Sequence, residues 1–284
     1  MGKVSQRLAD RFRRNQRVAD QFRRQMKQAG RQSEDVEAID HLIDSGYDPM
    51  HATYVVAQNL TSLFAEEVSV FSEFKEYLEL AGSAQDEYIP SAPPTSPLTL
   101  SYFTTWAFFD LPFGPDQETV GTCLLDVAET LRIDPIMEET IRRLQDSRMG
   151  IYEHCGSDGT KVSLKELLTD EEFECDVPSG YRGREHQLWY VRCCPPLGHL
   201  GDYHVVFTTP YVLLGADRSD WTAYLKRSIP PDSDDEIAAV HNFLKYGQDA
   251  RTWSKYVLQG YHHHESDAIF LTGLPDVKES LPHA

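Results

Sequence analysis

Apolar positions recur every three or four residues from the start of the chain. Leu8, Phe12, Asn15, Ala19, Phe22 and Met26 follow one another at steps of 4, 3, 4, 3 and 4, and Val4 extends the series. That spacing puts them on one narrow stripe of a helix, with Asn15 as its polar interruption. A near-repeat supports this: Arg7-Leu-Ala-Asp-Arg-Phe-Arg-Arg14 returns ten residues later as Arg17-Val-Ala-Asp-Gln-Phe-Arg-Arg24. With few β-branched residues and no interior Gly or Pro, residues 1–31 predict a single amphipathic arm of about 25 helical residues, ended by Gly30. The alternation of steps of 4 and 3 also fits a short coiled-coil seam.

The helical period continues. Ser33 is placed to cap a helix carrying Val36, Ile39, Leu42 and Ile43, with Gly46 just past its end. Asp48-Pro49 then reads as an N-cap and first helical residue, opening an apolar run from Val55 to Leu78 that reaches Gly82. Residues 32–83 are therefore expected to form a helical hairpin. Residues 84–98 contain four prolines and little to bury, which suits a linker. Tyr102, Phe103, Trp106, Phe108, Phe109 and Phe113 are expected in the core of a helical region at 99–148, with helices near 117–131 and 135–147.

At Gly150 the period changes to two. Ile151–Cys155 and Lys161–Leu164 flank Ser157-Asp-Gly159, a hairpin signal, and further strands are expected at Glu172–Val177, Leu188–Cys194, Tyr203–Thr208 and Tyr211–Leu214. Short strands this closely spaced over 149–215 predict a small antiparallel barrel, SH3-like or OB-like. Residues 216–284 are expected to be C-terminal helices and a tail. Ser219 is placed to cap one helix, and Ser233 with Glu236 suits a capping box for another. Trp253, Tyr256 and Val257 are expected to pack on the body, and the end to fray after about 272. The fold class is α+β: a helical N-terminal half, a barrel and C-terminal helices.

Three elements carry a family resemblance: Trp-x-x-Phe-Asp at Trp106 to Asp110; Ser-x-x-Gly-x-Tyr-Glu at Ser147, Gly150, Tyr152 and Glu153; and Leu-x-x-Leu-x-Thr-x-Glu at Leu164, Leu167, Thr169 and Glu171. Across roughly residues 100–215 the chain resembles uncharacterised bacterial proteins associated with SEC-C zinc motifs. The resemblance implies a fold more than an activity. The SEC-C motif itself is absent, so it implies no zinc.

Charge changes the picture most. The chain has 284 residues and a net charge of −18, yet residues 1–31 hold ten Lys/Arg against two acids, a net of +8, and the remaining 253 residues carry −26. With 40% apolar and 11% aromatic residues a substantial core is expected. No run approaches the ~20 apolar residues of a membrane span, and the arginine-rich start is unlike a secretory leader, so a cytoplasmic location is expected. Five cysteines there point to reduced thiols.

Candidate chemistry is sparse. Cys193, Cys194, His199 and His204 cluster in sequence, and His262 and His264 lie in Tyr261-His-His-His-Glu265. Those residue types suit zinc, but neither a Cys-x-x-Cys knuckle nor a helical His-x-x-x-His pair occurs. Phosphate-loop, nucleophile-elbow and dinucleotide signatures are also missing. No cofactor is expected, with zinc or another divalent metal as the alternative. The leading expectation is a non-enzymatic binding or regulatory protein. Its arm, through Leu8, Arg11, Phe12, Arg13, Arg14, Arg17, Phe22, Arg23 and Arg24, engages an acidic protein surface on its own body, a second subunit or a partner. The alternatives are nucleic-acid contact through the arginines, a metal-dependent hydrolase or nuclease, and an acidic nucleic-acid mimic.

Overall fold

A computed structural model describes residues 1–29, 35–88, 97–229 and 235–281. The chain divides into two compact units. One comprises Met1–Gln85, Thr105–Asp146 and Leu197–Gly201, the other Asp86–Thr104, Ser147–Pro196 and Asp202–Ala284.

The first unit is helical. It contains α1 (Lys3–Arg14), α2 (Gln16–Ala29), α3 (Asp35–Asp44), α4 (Pro49–Val68) and most of α5 (Lys75–Tyr88). After α6 (Pro97–Thr105) it continues with a π-helical turn at Trp106–Asp110, then α7 (Val120–Leu131) and α8 (Pro135–Asp146). The basic arm is two helices, not one. Asn15 leaves helical geometry at φ −125° and ψ 77° and ends α1. Its Oδ1 then accepts from the Val18 amide at 3.4 Å at the start of α2. A short polar side chain that competes for backbone donors favours such a junction over a helix interior. Gly30 lies outside the described residues.

α3 packs on α4, with Asp48 Oδ1 accepting from the Met50 and His51 amides as N-cap. The run to Gly82 does not hold as one helix. It breaks after Val68, passes a 3-10 turn at Ser72–Phe74 and resumes as α5, with Gly82 inside that helix. Part of the segment expected as a linker is helical: residues up to Tyr88 belong to α5 and Pro97 opens α6, while 89–96 lie outside the described residues. Of the aromatic cluster, Tyr102, Trp106, Phe109 and Phe113 are buried, while Phe103 and Phe108 are half-buried.

The second unit is built on the barrel. β1 (Met149–Asp158) pairs antiparallel with β2 (Lys161–Glu166) on one side and β4 (Leu188–Cys194) on the other. β2 pairs antiparallel with β3 (Glu172–Asp176). β3 meets β5 (His204–Val206) in parallel, and β5 returns antiparallel to β4. The five strands close in the order β1-β2-β3-β5-β4-β1. Of the two expected barrels this order is OB-like, with β3 and β5 as the parallel closure. Tyr152, Val162, Leu164, Cys175, Trp189, Val191, Cys193 and Val206 fill its interior.

Beyond β4 the sheet extends through β6 (Tyr211–Leu214), β8 (Ile269–Thr272) and β7 (Tyr261–His264). β4 is consequently buried along its whole length. β6 and β8 are parallel, a second departure from a purely antiparallel reading. The two C-terminal strands replace part of the expected tail. Residues past 272 are also held: Leu281 is buried, and Ser280 Oγ accepts from the Leu274 amide at 3.1 Å. The unit also holds most of α6 and the helices α9 (Arg218–Ser228), α10 (Glu236–Tyr246) and α11 (Thr252–Gln259). Asp217 caps α9 in place of Ser219, and Asp235 caps α10, where Ser233 lies outside the described residues. Trp253, Tyr256 and Val257 are buried as expected, with Trp253 stacked on Tyr190 at 5.1 Å.

Candidate functional site

The apolar stripe of the arm is consumed within its own unit. Val4, Leu8, Phe12, Ala19 and Phe22 are all buried. Phe12 lies 5.8 Å from Phe22 and 6.4 Å edge-on from Phe71, and Phe22 meets Phe64 at 5.7 Å. Burial of a Leu or Phe side chain contributes roughly 1.5–3 kcal/mol, so this stripe binds the arm firmly. A seam buried this way is not exposed for a coiled coil. Asn15 is exposed at the helix junction and fills no knob position.

Acidic side chains far along the chain complete the anchor. α1 has no side-chain N-cap of its own. The buried Glu118 carboxylate instead accepts from the Val4 amide at 2.8 Å and the Ser5 amide at 2.9 Å, and Asp116 accepts from the Lys3 amide at 2.7 Å. A carboxylate there also complements the positive helix end. Its approach is close: a Cβ on Gly2 would lie 2.3 Å from Glu118 Cδ.

The arginines divide into two sets. Arg11 donates to both carboxylate oxygens of Glu73 at 3.0 Å and lies over the Phe71 ring at 4.5 Å. Burial tends to raise the Glu73 carboxyl pKa, but hydrogen bonds from Arg11 and Ser72 outweigh it and hold the group below the usual carboxylate range. Arg23 donates to the Thr130 carbonyl at the end of α7 (3.1 and 3.3 Å) and pairs with Asp20. These two arginines are structural. Among the described residues Arg13 pairs only with its neighbour Asp10, at 3.2 Å. Arg24 donates to the Asp20 carbonyl. Arg7, Arg14 and Arg17 are exposed and have no acidic partner among the described residues. Arg7 and Arg14, seven residues apart, share one face of α1, as Arg17 and Arg24 do on α2.

A second polar assembly lies on the outer surface of the barrel. His186 Nδ1 bonds Glu153 Oε1 at 2.9 Å. Arg218 bonds the other oxygen of Glu153 and also Asp170 at 3.0 Å, and Lys165 reaches Asp170 at 3.0 Å. The bond from His186, with Arg218 adding to it against burial, holds Glu153 below the usual carboxylate range. His186 and Asp170 adopt left-handed backbone, at φ +68° and +57°. A shallow groove of about 620 Å³ along α9 is lined by Arg218, Ser219, Thr222 and Lys226. Cys155 on β1 is the one exposed thiol of the five, and burial together with Glu172 and Glu153 pushes its pKa up, away from the reactive thiolate.

The metal candidates do not come together. Cys193 and Cys194 are consecutive in β4 and both buried. They point to opposite faces of the strand. Cys193 faces the barrel core, while Cys194 Sγ lies 4.0 Å from Ser147 Oγ. His204 packs edge-on against Phe173 at 4.4 Å, and burial pushes its pKa down to about 4. His199 is exposed. His262 and His264 are exposed on β7, whose bulge disrupts the expected alternation. His264 Nδ1 is instead 2.8 Å from the Tyr261 hydroxyl, and His263 stacks on Phe270 at 4.4 Å. Among the described residues no three His, Cys, Asp or Glu side chains converge on a metal position.

Sequence reasoning missed Glu118, Asp116, Glu73 and Thr130. Nothing local marks them, because each acts on a helix many residues away; the one hint is that α1 starts without a capping or acidic residue of its own. Among the described residues no helix is long and apolar enough to cross a membrane. Comparison with family models, with curated proteins and with solved structures finds no match for this chain.

Proposed function

We propose that this chain is a non-enzymatic binding protein whose N-terminal helices present arginines to an acidic protein surface. The observation that carries this reading is the split within the arm. Its apolar stripe is buried and two arginines are tied down, while Arg7, Arg14 and Arg17 stay exposed without acidic partners among the described residues. Arginine suits this use because its planar fork binds carboxylates through two parallel bonds.

An acidic protein is favoured over nucleic acid on electrostatic grounds. A duplex carries about one charge per 1.7 Å and runs on past the arginines, where it would meet surface from a remainder that carries −26. A folded acidic patch can end where the arginines end. Beyond a Debye length of ≈ 8 Å at physiological salt, the rest of each molecule is largely screened.

The test is fluorescence anisotropy of a labelled glutamate-rich peptide titrated with the full chain, in parallel with a labelled DNA duplex. The peptide is expected to bind, to weaken with added salt, and to be released by Arg7→Glu, Arg14→Glu and Arg17→Glu combined. Preference for the duplex, or peptide binding unaffected by the triple reversal, would refute the reading.

A further inference from the structure

The barrel carries an unpartnered edge whose charge is opposite to that of the arm. All of β3 pairs with β2, but only Cys175 and Asp176 reach β5, so the other edge of Glu172, Phe173 and Glu174 has no strand partner among the described residues. Glu172 and Glu174 alternate onto the outer face, roughly 6.6 Å apart, and Glu171 precedes them. All three are exposed. Phe173 alternates to the inner face, where its half-buried ring packs on Tyr152 and His204.

The neighbouring cations are already committed, Lys161 to Asp176 at 3.6 Å and Lys165 to Asp170 at 3.0 Å. Glu171 and Glu174 have no ion pair among the described residues, and Glu172 accepts only from Ser163 Oγ, at 2.6 Å. Three exposed carboxylates along a strand edge suit guanidinium groups, whose planar fork pairs with a carboxylate through two parallel bonds.

We propose that the arginine face of α1 and α2 docks on the open β3 edge of a second copy of this chain. The proposal rests on the reading above and names its acidic surface. The contact is heterologous, arm to edge, so a pair of copies keeps one free arm and one free edge, and assembly closes as a ring or grows as a chain. Its salt dependence has a maximum. At about 0.01 M salt the Debye length of roughly 30 Å lets two copies of charge −18 repel as wholes. At about 0.1 M, roughly 10 Å, only the facing patches interact, and at about 1 M, roughly 3 Å, they too are screened.

Sedimentation velocity of the full chain over a concentration series at those three salts tests this. Association is expected to be strongest at the intermediate salt. The triple reversal of Arg7, Arg14 and Arg17 to Glu is expected to raise the dissociation constant by roughly 100-fold, as is Glu171→Lys, Glu172→Lys and Glu174→Lys combined, since each change removes an ion pair and adds a like-charge contact. An equimolar mixture of the two variants should associate, because the intact arm meets the intact edge and the Glu-bearing arm meets the Lys-bearing edge. A chain carrying all six reversals should associate again. Association by the arm variant equal to that of the unmodified chain overturns the proposal. A chain that binds the glutamate-rich peptide yet stays monomeric refutes the second copy and leaves the acidic-surface reading standing; one that does neither refutes both.

Discussion

Glu118 holds the first turn of a helix 113 residues before it: its two carboxylate oxygens accept from the Val4 and Ser5 amides at 2.8 and 2.9 Å. This replaces the cap that α1 lacks. Glu118→Ala leaves both donors buried without partners, and the expected loss is about 2 kcal/mol in urea unfolding. Glu118→Gln, which keeps one acceptor, should recover part of it. If both variants unfold like the parent, Glu118 is not the cap.

Phe12 and Arg14 are two residues apart on α1 and should behave oppositely. Phe12→Ala removes a buried ring from contact with Phe22 and Phe71, with an expected cost of about 3–4 kcal/mol. Arg14→Ala, exposed and unpaired, should stay within about 0.5 kcal/mol. A free coiled-coil seam would give a different result: Phe12→Ala would change oligomeric state and leave monomer stability alone.

Acid should weaken the fold in two separable windows. Burial pushes His51 and His204 down to about 4, against about 6.5 in an unfolded chain. The unfolded state then binds protons that the folded state refuses, so stability present above about pH 6.5 falls as the pH drops toward 4. Glu73 and Glu153, held below their usual range, contribute stability that is lost only below about pH 4.5. Urea midpoints at about pH 7.5 and pH 5 should differ in the parent and differ less in His51→Gln/His204→Gln. An unchanged difference in the double variant would show that these histidines are not the cause.

Leu271 tests the C-terminal strands. It is fully buried in β8 and paired with Leu213 of β6. Leu271→Ala is expected to cost about 3 kcal/mol, whereas a frayed tail would tolerate it. Thermal unfolding followed by circular dichroism separates the two outcomes.

Local chemistry explains how much of this was legible in the sequence. Asp48-Pro49 announced α4, and the alternation around Ser157-Asp-Gly159 announced β1 and β2, because caps and hairpins are decided by neighbouring residues. Ile269–Thr272 was unreadable as β8: a four-residue apolar run pairs in parallel with β6, a partner more than fifty residues away. The arm shows the same division. Its stripe from Leu8 to Phe22 was visible as a 3.5-residue period, and its break at Asn15 was hinted at by the one polar member. The destination of the stripe was not readable, since burial against Phe64 and Phe71 and capping by Glu118 depend on the tertiary fold. The thiols and imidazoles were visible as types, but whether they converge is likewise set by the fold, and consecutive Cys193 and Cys194 face apart.

Amide hydrogen exchange across residues 4–24 of the full chain, at low protein concentration, tests most directly that the arm is anchored by its own unit and leaves its arginines outward. Amides around Leu8–Phe12 and Ala19–Phe22 should be protected to the same degree at every protein concentration, with protection lost in Phe12→Ala and kept when Arg7, Arg14 and Arg17 are reversed to Glu. Exchange in this stretch at the rate of an unstructured chain, or protection that appears only as concentration rises, would contradict it.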